Sequence, residues 1–342
     1  MSLSTTLSTL ERGLQSAFDP GLNERARRFL RSAKANSTLN AYEADTRIFV
    51  TWCQLNGLNP LAASHLEIMN FLADQADGVL AHWVWLDKER SRGELRSGAP
   101  RKPATLVRRL AGIRYAFRQK GIHPLPTEHS DIKEMMRGIV RLGDTQKVKT
   151  GALTKEPLTR VLECIDTRTL AGLRDYTLLL LMFAGALRRS EAARLTLDDF
   201  HFSREGVVLR IKPSKHQLKE SEIALVRGGR HCPVTALERW LRQARITSGP
   251  LFCRLTRWGE LTPDALGPQG INLMIKRRSA NALDGLEVSG HSLRRGFITS
   301  AVTAGKPLNK IIEVTRHRDI RTLQEYFDQA DRFRDHAMTG LL

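Results

Sequence analysis

At 342 residues the chain is long enough for two packed cores, since a single hydrophobic core rarely grows past about 250 to 300 residues. Its 54 Lys and Arg against 36 Asp and Glu give a formal net charge of +18, which points to a polyanionic partner. No stretch approaches the roughly 18 apolar residues of a membrane span, the N-terminus lacks the basic-then-apolar order of a secretion signal, and the four cysteines are too scattered for a zinc or disulfide framework. A soluble cytoplasmic, nucleoid-associated protein with no membrane partner is therefore expected.

Residues 1–35 read as an arm leading into a first basic helix, with the basic stretch over 25–31. Asn36 or Ser37 is the candidate cap of the next helix, through Tyr42, Ile48, Phe49 and Trp52, which Gly57, Asn59 and Pro60 stop. Further helices are expected over 66–72, 79–88, 104–119 and 131–141, with a loop rich in Gly, Arg and Pro over 91–103. Trp83 and Trp85 fall in the 79–88 helix, where residues two apart cannot share a face. The 104–119 helix carries a stripe of Leu106, Leu110, Ile113 and Phe117, flanked by Lys102, Arg108, Arg109, Arg114, Arg118 and Lys120. On an isolated helix such a basic face is ordinarily just solvated; beside a phosphodiester site it becomes a DNA-backbone contact, because each cation on a phosphate releases a counterion. Residues 36–143 thus form a helical DNA-binding domain. Residues 144–152 are a basic linker, whose Lys147 and Lys149 join the DNA-contacting set.

The second domain, 153–342, is expected to be helical with a small antiparallel β element. Thr154 caps a helix through Leu162, an apolar helix over 170–183 is buried, and Gly185 permits the turn into Arg188. Strands over 207–211 and 222–226 bracket a hairpin loop at 212–220, and helices follow over 233–242, 268–279 and from His291 onward.

Arg188, His291, Arg294, His317 and Tyr326 together suit a phosphodiester. Two guanidiniums can grip it from two sides, imidazoles can bond its other oxygens or move protons, and a tyrosine hydroxyl can attack phosphorus. Guanidiniums that tighten on the more negative transition state supply the stabilisation without a metal or other cofactor. Singly, each has an ordinary reading: Arg188 as an ion-pair member, His291 and Arg294 as helix neighbours, His317 as part of a basic patch, Tyr326 as aromatic packing beside Phe327. The ordered set is what chance explains poorly.

In their order and spacing, Gly185-Ala186-Leu187-Arg188-Arg189-Ser190-Glu191, His291-Ser292-Leu293-Arg294, and His317 nine positions before Tyr326 resemble the signature boxes of the tyrosine recombinase (phage integrase) family, Cre-like members included. The resemblance covers roughly residues 150–330 and implies a mainly α architecture: an N-terminal core-binding domain and a catalytic domain with a small antiparallel sheet. It implies that Tyr326 attacks the scissile phosphate to give a 3′-phosphotyrosyl link and a free 5′-hydroxyl, that Arg188 and Arg294 clamp the non-bridging oxygens, and that His317 binds an oxygen. His291 would accept a proton or donate a hydrogen bond near the tyrosine, Glu191 would buttress the site, and a hairpin lysine, Lys215 with Lys212 as the other candidate, would be the general acid. Site-specific recombination of double-stranded DNA through a Holliday junction follows, in a tetramer whose C-terminal tail (Phe327, Ala330, Phe333, Ala337, Met338, Leu341 and Leu342) docks on a neighbouring protomer. The other readings are a type IB topoisomerase or telomere resolvase and a non-catalytic basic DNA-binding regulator. Arg316 departs from the pattern, standing where the family usually has glycine, and the stretch over 80–100 has no counterpart.

Overall fold

The computed structural model describes residues 23–25, 28–29, 33–143, 151–213, 220–317 and 319–330. The chain divides into two compact units, Met1–Lys147 and Val148–Leu342. Among the described residues no helix is long and apolar enough to cross a membrane.

The first unit is built on α1 (Asn36–Leu55), α2 (His65–Asp77), α3 (Pro103–Gln119) and α4 (Ser130–Leu142), with a two-stranded hairpin, β1 (His82–Trp85) and β2 (Gly93–Arg96), between α2 and α3. Neither Asn36 nor Ser37 caps α1; Ala35 holds the cap position with no side-chain bond. α2 starts on a true capping box, in which Ser64 Oγ accepts from Glu67 N–H and Glu67 Oε2 accepts from Ser64 N–H at 2.6 Å. Phe49, Trp52, Phe71 and Phe117 meet edge to face in the core, a preferred aromatic geometry.

The helix expected over 79–88 is instead strand and turn. Trp-Val-Trp alternates like a half-buried strand, and β1 pairs antiparallel with β2, Trp83 opposite Leu95 and Trp85 opposite Gly93. Asp87 closes the turn by accepting from Ser91 N–H at 2.7 Å and Arg92 N–H at 2.8 Å. On a strand, residues two apart do share a face, so the two indoles meet edge to face at 5.5 Å with the Arg47 guanidinium over both rings. A side chain at Gly93 would strike the Trp83 ring at 2.5 Å, which explains the glycine opposite Trp85.

The second unit comprises α5 (Lys155–Glu163), α6 (Leu170–Ala184), the short α7 (Arg189–Ala192), a three-stranded antiparallel sheet of β3 (Phe200–Phe202), β4 (Gly206–Ile211) and β5 (Ser221–Val226), then α8 (Pro233–Ala244). A hairpin of β6 (Cys253–Leu255) and β7 (Leu261–Ala265) precedes α9 (Pro268–Ala280), α10 (Ser292–Thr303), α11 (Leu308–Thr315) and α12 (Arg321–Ala330). β3 and the β6–β7 hairpin add to the single strand pair expected; both are short, with too few alternations to read. α6 is apolar on nearly every face and lies in the core, its N-terminus capped by Thr169 Oγ1, which accepts from Gly172 N–H at 3.0 Å. Its buried Asp175 is the anchor for α9, accepting from Arg278 at 2.8 Å and Arg277 at 3.3 Å. α10 packs on α6 and lies along the segment entering α5: Leu153 N–H donates to Ser292 O at 2.9 Å and Lys155 N–H to Ser300 Oγ at 3.0 Å. That approach needs Gly296, where a Cβ would stand 1.8 Å from the Leu153 carbonyl oxygen.

Candidate active site

Three segments far apart in sequence meet at Arg294. From α10 this guanidinium, almost wholly buried, donates Nη1 to the Ala186 carbonyl at 2.8 Å and Nη2 to the Thr315 carbonyl, and its Nη2 also lies 3.3 and 3.4 Å from the two ring nitrogens of His317. The turn before Arg188 and the end of α11 are thereby stapled to α10. Burial first, then Arg188 and Arg316, lower the Arg294 pKa to about 9, still charged at neutral pH. Fixed carbonyls therefore hold a cation whose charge is poorly solvated, the preorganised electrostatics that anion stabilisation requires.

Arg188 sits at the N-cap of α7. Its Nη1 bonds Glu191 Oε1 at 2.7 Å and its backbone N–H bonds Glu191 Oε2 at 2.9 Å, so Glu191 fixes both the turn and the side chain, while 22% of the Arg188 side chain stays exposed. The positive backbone angle of this turn falls on Ala186 (φ 45°), not on Gly185 as expected. Gly185 serves close packing instead, since a Cβ there would lie 3.1 Å from the Leu181 carbonyl and 3.2 Å from the Leu187 side chain. Burial alone would raise the Glu191 carboxyl; Arg316 and then the Arg188 bonds outweigh it and hold the group below its usual range.

His317 is partly buried, with Nδ1 2.9 Å from Thr315 Oγ1. Burial, then Arg294, Arg188 and Arg316, lower its pKa to about 4, so the ring is neutral near pH 7. His291 lies exposed at the start of α10, and partial desolvation followed by Arg189, Arg294 and Arg188 holds it below the usual imidazole range. Tyr326, on α12, is partly buried, its ring packed on the Ile298, Val302, Ile311 and Leu323 cluster. Ionised, it would raise the Arg294 pKa, so the phenol and the guanidinium are within electrostatic reach of one another.

The hairpin lysines separate. Lys212 is held by the buried Asp199, with Nζ 2.9 Å from Oδ1, and by Thr196 Oγ1 at 3.1 Å. Lys215 lies outside the described residues, as do Lys147, Lys149 and the tail beyond Ala330.

In the first unit, Lys102, Arg108 and Arg118 are exposed and Arg114 and Lys120 half-buried; Arg108 pairs with Asp45 at 2.7 Å, and Arg118 with Glu128 at 2.8 Å. Arg109 does not belong to this face. It is 2% exposed, on the stripe with Leu106 and Ile113, where it donates to the Ala81 carbonyl at 2.9 Å and faces Asp45 at 3.6 Å. One position further along a helix turns a side chain by about 100°, enough to move Arg109 from solvent to core.

The match that decides the family covers the unit carrying this cluster: the sequence model described as "Phage integrase family" fits residues 152–332. The chain belongs to the phage integrase family. An integrase/recombinase XerD homolog of Selenomonas ruminantium is 32% identical over 94% of this chain and 89% of its own length. Tyrosine recombinase XerD of Pseudomonas aeruginosa is 28% identical over 94% of each chain. Among solved structures, that of the XerH site-specific recombinase on its palindromic difH substrate, a post-cleavage complex, covers 98% of this chain and 94% of that one at a TM-score of 0.63 and 17% identity. The Tn1549 transposon integrase with transposon right-end DNA gives 0.56 at 12% identity, over 90% and 95%. At those identities the structural likeness speaks for the mainly α fold with small antiparallel sheets. As a phage integrase family member similar to Xer recombinases over nearly its whole length, the chain is a tyrosine recombinase, an enzyme of DNA cleavage and rejoining.

Sequence reasoning named Arg188, Glu191, His291, Arg294, His317 and Tyr326, and the second unit contains all six. It did not assign a role to Arg316, which touches Glu191, or to the Ala186 and Thr315 carbonyls that hold Arg294. Backbone acceptors leave no trace in side-chain identity, and Arg316 registered only as a departure from glycine.

Proposed function

We propose that the chain performs site-specific recombination on double-stranded DNA with Tyr326 as nucleophile. The single observation that supports this most is the convergence of Arg188, Arg294 and His317, from three segments, with Tyr326 in electrostatic reach of Arg294. The Tyr326 oxygen attacks the scissile phosphorus, its proton goes to a neighbouring base such as His291, and the 5′-oxygen leaves with a proton from Lys215. Arg188 and Arg294 hold the non-bridging oxygens as negative charge builds on them. Neutral His317, seated against Thr315 Oγ1, offers one ring N–H to a phosphate oxygen. A second 5′-hydroxyl then reverses the step through a Holliday junction, without ATP, because the bond energy is kept in the phosphotyrosine.

Residues 36–143 bind the duplex through Lys102, Arg108, Arg114, Arg118 and Lys120, residues 144–152 link through Lys147 and Lys149, and residues 153–342 carry the chemistry. Four protomers hold two duplexes. The tail beyond Ala330 seats on a neighbour, in the pocket of about 380 Å³ between α6, α10 and α11 that Phe183, Phe297, Ala301, Ile311 and Val314 line. The pocket is almost entirely apolar, matching the tail's Phe333, Met338, Leu341 and Leu342.

The test is a plasmid with two copies of the duplex that the protein selects from a random-sequence pool. Deleted or inverted product supports recombination; relaxation alone supports the topoisomerase reading, and binding alone the regulator. A chain ending at residue 330 should bind the same duplex but neither assemble nor recombine.

A further inference from the structure

A third guanidinium is built into the site from beneath. Arg316 follows α11 in the left-handed region, φ 57° and ψ 37°, its N–H donating to Ile312 O at 2.7 Å. Only 5% of its side chain is exposed. Nη2 meets Glu191 Oε2 at 2.8 Å and Nη1 lies 3.4 Å from the Gly185 carbonyl, while buried Nε has no partner among the described residues. Left-handed backbone favours glycine, so an arginine here carries strain that a residue needed only for the turn would avoid.

Its contacts explain the choice. Glu191 divides its carboxylate between Arg188 on Oε1 and Arg316 on Oε2. With Arg188 alone, Glu191 would form a neutral pair, and a neutralised guanidinium stabilises an anionic transition state poorly. With Arg316 present, one carboxylate faces two cations and Arg188 keeps positive charge for the phosphate. The Gly185 carbonyl, three residues before Arg188, is held by the same side chain, so Arg316 acts on position as well as on charge.

The geometry points to Arg316 as a positioning residue for strand cleavage: acting through Glu191 and the Gly185 turn, it orients Arg188 and leaves the Arg188 charge only partly balanced by Glu191. It is too buried to touch DNA itself. This inference rests on the assignment of Arg188 and Tyr326 to cleavage.

The test uses the full chain and a nicked duplex of the sequence that the wild-type protein selects from a random-sequence pool. It compares wild type, Arg316→Gly, Arg316→Lys and Arg188→Ala for DNA affinity, thermal unfolding and single-turnover formation of the covalent adduct. Arg316→Gly should bind within about threefold of wild type and form adduct on the order of 100-fold more slowly, the size of effect a misplaced catalytic group produces. Arg316→Lys should recover part of the rate. Millimolar guanidinium should speed Arg316→Gly by refilling the vacated space, with no gain in wild type. Adduct formation by Arg316→Gly at the wild-type rate overturns the inference alone. So does a loss shared equally by affinity, unfolding temperature and rate, with no response to guanidinium, which marks a merely structural residue. A wild type that binds its selected duplex and forms no adduct overturns the cleavage assignment, and the inference with it.

Discussion

Arg294 Nη1 donates to the Ala186 carbonyl at 2.8 Å, two residues before Arg188, so the two candidate phosphate-gripping arginines share one rigid turn. Their separation is set by backbone rather than by flexible side chains. A lysine at position 294 keeps charge but cannot hold two carbonyls and a phosphate in one plane. Arg294→Lys should therefore slow adduct formation on the order of 100-fold while leaving DNA affinity nearly unchanged. Single-turnover rates beside a binding titration check this.

The contact that seats α10 is as exacting. Gly296→Ala places a methyl group 1.8 Å from the Leu153 carbonyl oxygen, a backbone atom that cannot swing away. The variant should lose roughly 1 to 3 kcal/mol, the usual cost of overpacking, in urea unfolding. Unchanged stability would mean that α10 and the 151–155 segment are less closely apposed than described.

His317 should titrate near 4 instead of 6.5. Because the folded pKa is depressed, the unfolded chain binds more protons between those values, so this group's stabilisation is present at pH 7 and lost as the pH falls from 6.5 to 4, about 3 kcal/mol at most. Asp45 acts in the opposite sense: its carboxyl is raised to about 6, chiefly by burial, against Arg108 and Arg109, so the folded chain holds that proton more tightly. Comparing the pH dependence of unfolding in wild type and His317→Asn cancels Asp45. The variant should be less sensitive to acid, and the ring resonances of His317 in wild type should move only near pH 4.

Lys212 and Lys215 should fail differently. Lys212 is held by Asp199 and Thr196, so Lys212→Ala strands a buried carboxylate and should lower stability. Lys215→Ala should leave stability intact and slow cleavage by about 100- to 10,000-fold, as loss of a general acid does. A 5′-bridging sulfur in the DNA needs no proton to leave and should restore the rate of Lys215→Ala. No restoration would remove Lys215 from that role.

What the sequence made legible was the family, because Arg188, His291, Arg294, His317 and Tyr326 fall in an order that carries information. The long helices were legible through periodicity, as in α3, and α6 through its unbroken apolar run. The β1–β2 hairpin was not: Val79 to Leu86 is a short apolar run that suits either structure, and the Asp87 turn and the Gly93–Trp83 contact that settle it join positions up to ten residues apart. Arg108 and Arg109 are the same letter with opposite burial: both reach Asp45 of α1, and the turn of the helix places only Arg109 on the core stripe. The clamp on Arg294 was invisible because carbonyl oxygens are common to every residue.

The most direct measurement is peptide mapping by mass spectrometry of the adduct that the protein forms on its selected nicked duplex, with Tyr326→Phe alongside. A 3′-phosphonucleotide on the peptide containing Tyr326, and no adduct from a Tyr326→Phe variant that still binds the duplex, is the result predicted. An adduct on any other residue, or one that survives Tyr326→Phe, would contradict the account.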